Sequence, residues 1–255
     1  MLYDTHAHVN EHAFEADRAE VLARIHANGV SLYNEVGTNL ADSRRAIELA
    51  QANQWIYAAA GIHPHEAQQA PVDYLAQLAV LLAQPRCIAL GEIGLDYHYD
   101  FSPRDVQRRV FAEQLELART TNKPVIIHDR EAHQDTMNAI AAHHGQLRGV
   151  MHCYSGSLED AKRYLKLGFY ISFAGPLTFK NASKLREVAA YVPMDRVLCE
   201  TDSPYLAPVP VRGKRNDPQN VAYVVQMLAE IKGISFEQAA QATMENGKKL
   251  FLQED

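Results

Sequence analysis

KPVIIHDREAHQDTMNAIAAHH, residues 123–144, contains the unit from which the whole chain is built. Its short β-branched run, Val125–Ile127, reads as a strand covered on both faces. A helical pattern near 131–144 follows at once, and His128 stands where the one gives way to the other. Working outward, the same unit recurs. MLYDT precedes a helix from about Glu15 to Asn28, closed by Gly29. VSLYNEVGT precedes a helix opening at Asp42, a plausible N-cap, and running to about Gln54. WIYAAAGI leads through a His-rich loop to a helix near 72–83, and RCIALGEIGL leads to a long helix near 103–121 with Pro103 in its first turn. LRGVMHCY precedes a helix near 157–167, and GFYISFAG one near 181–191. RVLCETD is followed by a long loop and two helices, near 219–231 and 236–250.

Eight strand-like runs, each followed by a helix, imply a parallel sheet with right-handed crossovers. Eight such units in 255 residues predict an α/β fold of one domain, a closed (β/α)8 or TIM barrel. With 47% hydrophobic residues the chain can bury a large core. The formal net charge of −6 argues against a protein that coats nucleic acid non-specifically, although a locally basic cleft stays compatible with it. Cys87, Cys153 and Cys199 are odd in number and lie in apolar segments, as expected of reduced thiols rather than a disulfide framework. No basic stretch leads into an apolar run at the N-terminus, and no apolar run is long enough to span a membrane. The expectation is a soluble cytoplasmic protein, a monomer without membrane contact or obligate protein partner.

In such a barrel the chemistry gathers at the C-terminal ends of the strands. His6 and His8 close the first strand, Glu92 the fourth, His128 the fifth, His152 the sixth and Asp202 the eighth. Each alone has an ordinary structural explanation. Together they would crowd two carboxylates and four imidazoles into one mouth, an arrangement that cations make coherent. Six ligands exceed what one catalytic zinc takes. They suit two divalent ions sharing a carboxylate, with Glu92 as the bridge, His6, His8 and Asp202 completing one ion, and His128 and His152 the other. Mixed imidazole and carboxylate ligands leave Mg2+, Mn2+ and Zn2+ open.

The motifs DTHAHV, GIHPHEA, GEIGLDYH, IIHDREA, HCYSGS and ETDSPYLAPVPVRGKRNDP together resemble the TatD family of metal-dependent deoxyribonucleases, from Met1 to about Phe251. Ala7 stands where many relatives carry cysteine, and ENGKKLF departs from the commoner ending, but neither touches a proposed ligand. The resemblance implies a TIM-barrel hydrolase using divalent metal to remove nucleotides from a DNA 3′ end. It also implies the same six metal ligands: His6, His8, Glu92, His128, His152 and Asp202. Hydrolysis of another small ester or amide is the alternative, because a metal cluster of this kind supports many reactions.

Catalysis would use a metal-activated water whose proton passes to Asp202. Glu200 is a second candidate base, since ETD places it on the same strand face as Asp202; the alternative is a carboxylate held in a supporting hydrogen bond. His63 and His65 could compete for metal, but Pro64 interrupts a regular strand. The resemblance favours His63 as a phosphate contact and His65 as structural. Arg130 offers a planar fork to phosphate, and Arg212, Lys214 and Arg215 add a basic cluster after the last strand. A solvated loop is the other reading of that cluster. Asp96, Tyr97 and Tyr154 are expected to line the substrate groove, where aromatic rings could stack on unpaired bases. Cys153 should face away from the ligands.

Overall fold

The computed structural model describes residues 1–254. Its strands are β1 (Leu2–Ala7), β2 (Val30–Val36), β3 (Ile56–Ala60), β4 (Cys87–Asp96), β5 (Val125–Arg130), β6 (Gly149–Met151), β7 (Tyr170–Phe173) and β8 (Val197–Cys199). They form one sheet in sequence order with every neighbouring pair parallel. The helices are α1 (Arg18–Ala27), α2 (Leu40–Ala52), α3 (Tyr74–Leu82), α4 (Arg104–Thr121), α5 (His133–Ala141), α6 (Leu158–Lys166), α7 (Ser183–Tyr191), α8 (Val221–Lys232) and α9 (Phe236–Gly247). The last strand meets the first: the Thr5 hydroxyl donates to the Cys199 carbonyl at 3.1 Å. Beyond the strand ends, the Asp202 amide donates to the His6 carbonyl at 2.9 Å and the His8 amide to the Ser203 carbonyl at 2.8 Å. The result is the nearly closed (β/α)8 TIM barrel that the alternation predicts.

Side chains alternate across each strand, so every strand feeds two apolar layers. Tyr3, Val36, Ala59, Ala89, Ile126, Val150, Tyr170 and Leu198, one from each strand, fill the barrel interior. Val125, Ile127, Met151, Ile171 and Phe173 belong to the layer between barrel and helices. The same alternation sends His128, two residues after Ile126, and His152, two after Val150, to the interior at the open end. Leu250 and Phe251 close the opposite end, with the Phe251 ring centred 6.3 Å from that of Tyr3.

Several boundaries differ from the sequence reading for local reasons. A 3-10 turn at His12–Phe14 delays α1 to Arg18. Asn39, not Asp42, caps α2: its side chain accepts from the Asp42 amide at 3.0 Å, while the Asp42 carboxylate accepts from the Thr38 amide and hydroxyl. Ser157 and Ser235 each begin a full capping box, fixing the starts of α6 and α9. Helix α9 ends at Gly247 and loosens into a π-turn over Lys248–Leu252, the segment that seats Phe251. β4 runs four residues beyond Glu92, so Glu92 does not end its strand. Pairing with β3 stops at Leu90, and pairing with β5 is irregular between Leu90 and Ile93. Glu92 therefore occupies the break in the ladder, at the level of the rim. Cys87, Cys153 and Cys199 are free thiols, and no helix of the described residues is long and apolar enough to cross a membrane.

Replacing Phe251 by alanine removes the plug at the barrel's closed end. Urea unfolding should show a loss of about 3–5 kcal/mol, and a loss below about 1 kcal/mol would mean that the terminal turn does not support the barrel.

Candidate metal centre

Glu92 is the hub of the open end. Its Oε1 lies 2.7 Å from His128 Nδ1, 3.1 Å from His152 Nε2 and 3.5 Å from His63 Nε2. Its Oε2 lies 3.3 Å from His6 Nε2 and 3.6 Å from His8 Nε2. Asp202 Oδ1 approaches His8 Nε2 at 3.5 Å and His6 Nε2 at 3.8 Å. All six side chains singled out from the sequence thus converge, with His63 as a seventh. His6, His8, Glu92 and His152 are buried, and His128 and Asp202 are half-buried. Three groupings are compact enough to hold an ion: His6, His8 and Glu92; His6, His152 and Asp202; and His63, Glu92 and His128. His152 stacks on His6, with ring centres 3.8 Å apart, and so reaches toward both sides of the expected division.

The hydrogen bonds behind the imidazoles decide which nitrogens are free. His8 Nδ1 meets the Val36 carbonyl at 2.8 Å, His152 Nδ1 meets Glu200 at 2.8 Å, and His128 Nε2 meets Asp96 at 3.1 Å. A protonated nitrogen donates in these contacts, so when each ring gives up its second proton the lone pair falls on His8 Nε2, His152 Nε2 and His128 Nδ1. Three lone pairs and two carboxylates then face one another, with His6 Nδ1 buried and unpartnered. Either protons or metal ions must supply positive charge between them. Burial would raise the pKa of Glu92, yet His152, His63 and His6 hold it well below the usual carboxylate range. Burial likewise opposes charge on His8 and His128, but Asp202 and Glu92 push His8 up to about 10, and Asp96 and Glu92 push His128 up to about 9. Protons are drawn to the places that divalent ions would fill, so the donor set fits such ions.

His63 differs from the others. Its Nδ1 accepts the His65 amide at 3.1 Å, so the neutral ring carries its proton on Nε2, toward Glu92. Burial keeps it neutral by lowering its pKa to about 4. It is placed as a hydrogen-bond donor rather than a ligand, which suits a phosphate contact. His65 is structural in this geometry, with Nε2 2.9 Å from Asp96.

The surrounding residues correct several expectations. β8 ends at Cys199 and Asp202 adopts φ +55°, so Glu200 and Asp202 do not share a strand face. Glu200 accepts from His152, from the Cys153 amide at 2.6 Å and from the Ser172 hydroxyl at 2.6 Å. Both its oxygens are occupied, so it orients His152 and is not placed to act as a base. Asp96 is buried rather than lining a groove, and accepts from His65, His128 and the amides of His98 and Tyr99. Tyr154 is only 5% exposed and donates to the Ser157 carbonyl at 2.6 Å, so it cannot stack on substrate. Tyr97 is tied to Asp135, with Arg104 over its ring. Arg215, exposed, is paired to both oxygens of Asp17, at 2.8 and 2.6 Å, and lies over Phe14, so its charge is already partly offset. Arg212 is exposed over the Phe179 ring, Lys214 is exposed, and Arg130 is exposed over Tyr99.

Two supports escaped the sequence reading. Asp4 accepts from the His6 amide at 3.3 Å and from the Thr201 amide at 2.9 Å and hydroxyl at 2.5 Å, tying the His6 strand to the Asp202 loop. An acidic residue two positions before His6 was the available signal. Ser172 carried none. Gly94, at φ +149°, lets β4 pass the His128 carbonyl, which a Cβ would approach to 1.9 Å.

The family model described as TatD related DNase matches residues 3–252. The chain belongs to the TatD family. It is accordingly a metal-dependent hydrolase. It is 44% identical over 252 residues to the uncharacterized metal-dependent hydrolase YabD of Bacillus subtilis, covering 98% of this chain and 99% of that one. The 3′-5′ ssDNA/RNA exonuclease TatD of Shigella flexneri is 33% identical over 256 residues, covering 98% of both chains. The crystal structure of YJJV, a TatD homologue from Escherichia coli K12, superposes with a TM-score of 0.92 at 33% identity over 98% of both chains.

If His63 donates and His128 ligates, their alanine variants should separate. His128→Ala should lose bound metal, whereas His63→Ala should retain the wild-type metal content measured after equilibrium dialysis against Mn2+. Equal losses in the two would make His63 a ligand.

Proposed function

We propose that this protein is a nuclease that hydrolyses DNA phosphodiester bonds with two divalent ions, working from the 3′ end of single strands. The carrying observation is the division of Glu92, one oxygen facing His6 and His8 and the other facing His128 and His152. This suits a bridging carboxylate with His6, His8 and Asp202 around one ion and His128 and His152 around the other. The Shigella relative's name supports the substrate and direction. Bound divalent ions, whether Mg2+, Mn2+ or Zn2+, would acidify water and offset phosphoryl charge.

The chain's own groups supply the rest. Asp202 is the more open carboxylate, its side chain 15% exposed against 4% for Glu92. Burial would raise its pKa, but hydrogen bonding to His8 and the nearby imidazoles keep it low, so it is ionised and able to take the proton of the attacking water. His63 Nε2–H donates to a non-bridging phosphoryl oxygen. Water attacks phosphorus, the bond to the 3′ oxygen breaks, and the departing oxygen takes a proton from solvent. Arg130 and Arg212 at the rim would meet flanking phosphates. The three free cysteines favour a cytoplasmic setting.

A second reading, hydrolysis of another small ester or amide, draws support from the withdrawal of Arg215 to Asp17 and from the net charge of −6. A 5′-labelled single-stranded oligonucleotide, whose shortening can be followed step by step, separates the two. The wild type with Mn2+ should release mononucleotides stepwise, and Glu92→Ala should lose more than about 100-fold in rate. Intact DNA alongside hydrolysed small esters would favour the second reading, and unchanged cleavage by Glu92→Ala would remove the first.

A further inference from the structure

Beside the His63 and His128 edge of the centre, the β4–α4 loop exposes two aromatic rings that the fold does not use. Phe101 is 64% and Tyr99 48% exposed, and neither is among the residues packed on the core. They stack on each other with ring centres 5.2 Å apart and planes 19° from parallel. The Arg130 guanidinium lies 4.8 Å from the centre of the Tyr99 ring. Tyr99 thus stacks on Phe101 and carries the Arg130 guanidinium, while Phe101 stacks on Tyr99 and meets His65 at a steep angle. Most of the Phe101 side chain remains open to solvent.

The pair is joined to the centre by ring contacts. His65 stands edge-on to Phe101 at 4.8 Å and to Tyr99 at 5.5 Å. His65 in turn lies 4.4 Å from His63, and His63 lies 4.6 Å from His128. The loop that carries the pair is pinned beneath it. Ser102 is buried, donates to the His65 carbonyl at 2.9 Å and accepts from the Gln68 amide at 3.0 Å. Gln107 donates to the carbonyls of Asp96 and Ser102, and Asp96 accepts the amides of His98 and Tyr99. Asp96 also holds His128. One carboxylate thus fixes both a centre imidazole and the loop bearing the rings. Exposed apolar rings on a rigid support lose little conformational entropy when they bind.

We propose that Phe101, backed by Tyr99 and Arg130, is a stacking platform for an unpaired nucleobase of the strand being cleaved. A flat apolar face next to a cation matches a polymer that alternates flat bases with anionic phosphates. The chemistry selects single strands, since a base held in a duplex keeps both faces stacked. It is tolerant of sequence, because every base offers a π-face. Arg130 holds its guanidinium against the platform, so its charge acts there on the phosphate next to the stacked base. This inference rests on the nuclease reading and adds the determinant of its strand preference.

The test compares a single-stranded oligonucleotide with one of the same length whose last three residues lack bases. In the wild type the base-bearing strand should have a KM lower by about tenfold or more. In Phe101→Ala that advantage should shrink to within about twofold, and Phe101→Trp should restore it. A 2-aminopurine near the 3′ end should be quenched on binding to the wild type and not on binding to Phe101→Ala. An advantage kept in Phe101→Ala, or equal quenching in the two proteins, overturns the platform while leaving the nuclease reading intact. Absence of hydrolysis of either strand by the wild type overturns both.

Discussion

One buried carboxylate organises the open end of this barrel. Glu92 is placed where β4 leaves its regular pairing, and each of its oxygens faces a different set of imidazoles. A carboxylate buried without compensation would take up a proton. Here the surrounding histidines keep it ionised by holding protons, at the positions where divalent ions would otherwise sit. The cluster needs positive charge, as protons or as metal ions, and that requirement explains why so many polar side chains tolerate so little solvent.

The barrel makes this convergence possible at modest cost to each strand. Alternation along β5 and β6 puts Ile126 and Val150 into the packed interior, and carries His128 and His152 to the same face at the rim. Each imidazole is then aimed from behind: His8 by Val36, His152 by Glu200, His128 by Asp96. These supports set both the ring orientation and the nitrogen that carries the proton, as metal-binding histidines generally require. Asp96 extends the same logic outward, because the carboxylate that aims His128 also fixes the loop carrying Tyr99 and Phe101.

The repeat of apolar run and helix in the sequence was enough to recover the barrel, since alternation and crossover handedness leave few other arrangements. The six-residue cluster was legible for a related reason: each member follows an apolar run that can only be a buried strand. Residues whose roles depend on local backbone shape were not legible. Glu200 and Asp202 differ by two positions, yet the left-handed turn at Asp202 sends them to different partners. Arg215 reads as a free cation until the fold brings Asp17 beside it. Tyr154 reads as a groove residue but is buried, while Phe101, which no motif singles out, is exposed, because burial of a loop aromatic is decided by packing that no short motif records.

Electron paramagnetic resonance of the fully Mn2+-loaded protein tests the central claim most directly. Two ions sharing Glu92 would lie about 3.5–4 Å apart and give an exchange-coupled spectrum, which Glu92→Gln should convert to that of isolated Mn2+. An isolated-ion spectrum from the fully loaded wild type would contradict the bridging role of Glu92.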